Sequence, residues 1–194
     1  MPNGELDEIL GAYRDRRFVI KVRFNRSIDT FSELARLSGA LQTVDALART
    51  DFSSDDLRLR KHSIDARAHV INFYVGSPPE VTVLATLPWI AVFVSALALL
   101  VSFTANYDKL KKNVPEIAAD LGEVLAKIRG LTDDQLHRLS LAVKILVDDI
   151  LRLPENRLRA MADRIERVRR ELIGIDQTPP NIDVIDIDRR IEGN

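Results

Sequence analysis

The chain has 194 residues, 46% of them strongly apolar and 29% charged, a composition that folds rather than one that stays disordered. A net charge of −1 excludes the broad basic field of a dedicated nucleic-acid binder. The absence of cysteine removes disulfides, thiolate zinc sites, iron–sulfur clusters and thiol catalysis together.

The N-terminal stretch MPNGELDEILGAYRDRRF has no basic segment followed by an apolar one, so no cleavable signal peptide is expected. In RRFVIKVRFNR, Phe18, Ile20, Val22 and Phe24 share one parity and Lys21 and Arg23 the other, which predicts a half-buried strand. Phe31, Leu34, Leu37, Leu41, Val44 and Leu47 then recur at helical spacing, with Thr30 or Asp29 as the cap. After the turn cluster DFSSDD, LRLRKHSI alternates as a second strand, and the β-branched and aromatic AHVINFYV reads as a third. Residues 1–76 are therefore expected to form a small β-α-β-β domain with its helix on one face of the sheet.

In GSPPE, Ser77 and Glu80 have capping-box spacing, Pro78 suits the first turn, and Gly76 permits a sharp exit from the strand. These residues predict a helix start. The run from Val81 to Phe103 that follows is uncharged. As one helix it would be roughly 34 Å long, against about 30 Å for a hydrocarbon core. Its apolar residues lie all round the helix, whereas a surface helix shows a polar face. Residues 77–107 are accordingly expected to span a membrane, through Val81, Leu84, Leu87, Trp89, Ile90, Phe93, Leu97, Leu100 and Phe103. Pro88 either kinks this helix or starts a new one. Lys109, Lys111 and Lys112 favour a cytoplasmic C-terminal side, but export of a folded N-terminal domain without a signal is hard to accommodate. The expectation is an inner or plasma membrane location with the N-terminal domain cytoplasmic. Ala91, Ser95, Ala98 and Ser102 make a small-residue stripe suited to self-association.

Residues 108–174 read as an antiparallel helical bundle or hairpin. One helix carries Ile117, Leu121, Val124 and Ile128. The next is capped at Thr132 and carries Leu136, Leu139, Val143, Leu146, Ile150 and Leu153. A third carries Leu158, Met161, Ile165, Val168 and Leu172. Leu136, Leu139, Val143, Leu146 and Ile150 are further self-association candidates. Six arginines between Arg157 and Arg170 oppose the last stripe, in keeping with a solvated face or with anionic headgroups. Residues 175–194 form an acidic tail, free or adding a strand to a sheet edge of this chain or a partner.

No catalytic motif emerges. His62, His69 and His137 are the only histidines, and HExxH, GxSxG, phosphate-loop and dinucleotide-loop patterns are missing. Asp133 and Asp134 read as helix-start acids, and Asp148 and Asp149 as a solvated face. The tail aspartates lack the glycine and terminal glutamate of a calcium loop. No catalytic, cofactor or metal site is expected, and no nucleic-acid partner. The sequence therefore points to an α+β protein anchored in a membrane that acts as an interaction or scaffold protein. It would self-associate as a homo-oligomer, and a protein partner would dock on its N-terminal domain or tail. Two alternatives stand beside this reading: a membrane-perturbing effector whose other domains control oligomerisation, and a soluble oligomeric assembly subunit with the apolar helix buried.

Overall fold

The computed structural model describes residues 5–13, 15–24, 30–46, 68–74, 78–102, 121–160, 163, 167 and 180–188. Strand β1 (Arg17–Arg23) follows the alternation of its sequence, burying Phe18, Ile20 and Val22. Helix α2 (Phe31–Ala46) opens with a reciprocal cap: Glu33 N–H donates to Thr30 Oγ1 at 3.2 Å, and Thr30 N–H donates to Glu33 Oε2 at 3.2 Å. Strand β2 (Ala68–Tyr74) pairs antiparallel with β3 (Glu80–Thr86) through a bulge between Val70 and Asn72. β3 runs without a loop into α3 (Leu87–Ser102). Further along lie β4 (Ile128–Arg129), α4 (Asp133–Leu151) and β5 (Asn181–Asp186), and near the N-terminus α1 (Glu5–Leu10).

The five described strands form one mixed sheet in the order β2-β3-β1-β5-β4. Only the β5–β4 contact is parallel. Because β1 and β2 are both antiparallel to β3, they run in the same direction with β3 between them. One face of the sheet carries Phe18, Ile20, Val22, Val81, Val83, Ala85, Ile182 and Val184, all buried. These side chains join those of α3 and α4, and Leu6 and Leu10 of α1, in a single core. Burial of each such aliphatic side chain contributes about 1.5–3 kcal/mol.

The uncharged run from Val81 to Phe103 is therefore not one helix, which corrects the expected span over residues 77–107. Glu80–Thr86 form a strand because the β-branched Val81, Thr82 and Val83 alternate correctly for it: Val81, Val83 and Ala85 face the core, while Glu80, Thr82, Leu84 and Thr86 occupy the other face. Val81 and Val83 stand opposite Val22 and Ile20 of β1. Glu80 starts no helix. It faces Arg23 across the strands in an ion pair of 2.9 Å, with Pro78 exposed before it. Gly76, Ser77 and Phe103 lie outside the described residues.

Pro88 falls in the first turn of α3, where its missing N–H costs nothing. The helix has 16 residues, about 24 Å, which is short of a hydrocarbon core of about 30 Å. Leu87, Trp89, Ile90, Ala91, Val92, Phe93 and Val94 are all buried, so apolarity on every side of α3 reflects enclosure by protein. Among the described residues no helix is long and apolar enough to cross a membrane. That overturns the single-pass transmembrane reading and the membrane location drawn from it.

A second correction concerns residues 108–174, for among the described residues no helical bundle is evident. Residues 121–126 and 155–160 are helical, but Ile128 already belongs to β4. The apolar stripe of α4 packs against α3 and α1 within the sheet's own core. The stretch read as a tail returns to that sheet as β5, paired with β1 from Phe18↔Asp186 to Arg23↔Asn181. Expected positions in LRLRKHSI, and Ile117, Met161, Ile165, Val168 and Leu172, lie outside the described residues.

Candidate functional site

Two features stand out, and they differ in kind. The first is a polar cluster where the start of β1, the end of β5 and the start of α4 meet. Thr132 caps α4 in a capping box with Gln135: its hydroxyl accepts from Gln135 N–H at 3.2 Å, and its N–H donates to Gln135 Oε1 at 3.0 Å. The other end of the same amide, Nε2, donates to Asp186 Oδ2 at 2.8 Å. Arg16 reaches that oxygen at 3.1 Å, and the Asp186 side chain is only 4% exposed. The backbone N–H of Arg17 donates to Asp188 Oδ2 at 3.2 Å.

Alongside, the Tyr13 hydroxyl donates to Asp134 Oδ2 at 2.7 Å, and Arg138 Nε donates to the same oxygen at 2.9 Å. Arg138 also donates to the carbonyl of Ile9 at 3.2 Å, satisfying an orphan acceptor at the end of α1. The guanidinium groups of Arg16 and Arg138 lie 5.7 and 5.8 Å from the Tyr13 ring centroid. The hydrogen bond to Asp134 raises the Tyr13 phenol above its usual value, and the same bond, then that from Arg138, lowers Asp134. Both shifts keep the proton on the phenol. Among the described residues each of these acids is held by a cation, an amide or a phenol. The cluster clamps α1, α4, β1 and β5 together.

The second feature is the edge of the sheet. β4 is an edge of two residues, while β2 is an edge of seven. Among the described residues no strand pairs with the outer side of β2. Val70, Ile71 and Tyr74 are 69%, 56% and 61% exposed. The other strands carry charged residues: Arg17, Lys21 and Arg23 in β1, Glu80 in β3, Arg129 in β4, Asp183 and Asp186 in β5. β2, with the sequence AHVINFY, carries none. Natural edges are usually guarded by charge or proline against pairing with another chain. Among the described residues the guard on this edge is a bulge.

The residues singled out in the sequence are dispersed in the structure. Val81 and Leu84 are in β3; Leu87, Trp89, Ile90, Phe93 and Leu97 are buried in α3, with Trp89 stacked on Phe93 at 4.9 Å between centroids. Leu100, Ala98 and Ser102 belong to the C-terminal half of α3. Ala91 and Ser95 face the interior, where the Ser95 hydroxyl donates back to the Ala91 carbonyl at 2.7 Å. In α4, Leu139, Val143, Leu146 and Ile150 are buried and Leu136 is half-buried. His69 is in β2 and His137 is exposed on α4, while His62 lies outside the described residues. Among the described residues no group of three His, Asp or Glu side chains is placed to hold a metal ion. Sequence reading identified β2 as a strand but missed its place at the edge; its lack of charge was the available signal. No family model, no characterised protein and no solved structure matches this chain.

Proposed function

We propose that this chain is an assembly protein that offers β2, a terminal strand of the sheet among the described residues, to another polypeptide strand, and that it acts by interaction rather than by catalysis. The observation that carries this reading is the exposure of Val70, Ile71 and Tyr74 on an uncharged terminal strand. An added strand would pair with β2 along its outer side and cover these side chains, the mode of β-augmentation. The polar cluster supports the reading indirectly, since it spends its acids and arginines on holding the sheet to its helices. The burial of α3 is compatible with the alternative of an oligomeric assembly subunit, with the difference that this helix is buried within its own chain rather than between chains.

The test is the mass in solution of the purified full chain and of its Ile71→Lys variant, measured by light scattering over a range of concentrations. The wild type is expected in complexes, and the variant as a folded monomer with a cooperative melting transition. Complexes of equal mass for the two refute the reading, and a monomeric wild type refutes it as a self-assembling protein.

A further inference from the structure

We draw no further inference here: the strongest candidate, the buried and unpartnered indole N–H of Trp89 in the first turn of α3, is a single donor, and nothing among the described residues shows a cavity or a ligand that it would serve.

Discussion

Asp186→Ala should be among the most damaging single changes in the described fold. Its carboxylate is 4% exposed and takes hydrogen bonds from Arg16 at 3.1 Å and from Gln135 Nε2 at 2.8 Å. A hydrogen bond to a charged group is worth about 1.5–3 kcal/mol. The Arg16 side chain is 32% exposed, so water replaces much of what it loses. Gln135 is 2% exposed and keeps a buried N–H without its acceptor, a cost of about 1–3 kcal/mol. The expected loss is about 3 kcal/mol. For a chain of this size that lowers the melting temperature by roughly 6–12 °C. Because the Gln135 amide joins the cap of α4 to β5, the two residues should couple. A double-mutant cycle with Gln135→Ala, followed by urea unfolding, is expected to show about 1–2 kcal/mol of interaction. A loss under about 1 kcal/mol for Asp186→Ala, or effects that simply add, would refute the view that this contact fastens the C-terminal strand to the helix.

Gly130 has φ of +88°, and a Cβ there would collide with the carbonyl oxygen of Val184, so Gly130→Ala is expected to cost at least about 2 kcal/mol in chemical unfolding. Leu146→Ala removes a fully buried side chain from α4, and urea unfolding should report a loss of about 2–5 kcal/mol. The Tyr13–Asp134 contact makes stability depend on pH at both extremes. Asp134 is lowered from 3.8, so its contribution is present above that value and fades as pH falls through the lower folded one. Tyr13 is raised from 10.0, so its contribution is present below that value and fades as pH rises through the higher folded one. The melting-temperature difference between wild type and Tyr13→Phe should therefore be level near neutrality and shrink at both ends; a difference independent of pH would contradict this.

Elements governed by neighbours in sequence were legible in it. The alternation of Phe18, Ile20 and Val22 marks β1, and the caps at Thr30 and Thr132 mark the starts of α2 and α4. β3 was hidden because lack of charge dominates any reading of Val81–Phe103, although Val81, Thr82 and Val83 already alternate as a strand and Pro88 already marks a first helical turn. Asp186 could not be assigned to the core face, because the groups that make its burial tolerable lie 170 residues away in Arg16 and 51 in Gln135. The same holds for the candidate site. AHVINFY reads as a strand on its own, but only the order β2-β3-β1-β5-β4 places it at an edge, and that order is set by pairings distant in sequence.

Amide hydrogen exchange on the full chain, followed from low to high concentration, tests most directly whether β2 is the edge this protein uses. Protection is expected to rise with concentration across Ala68–Tyr74, and to stay flat there in Ile71→Lys. Exchange in β2 that is the same at every concentration, or protection that grows on another element instead, would contradict assembly through this strand.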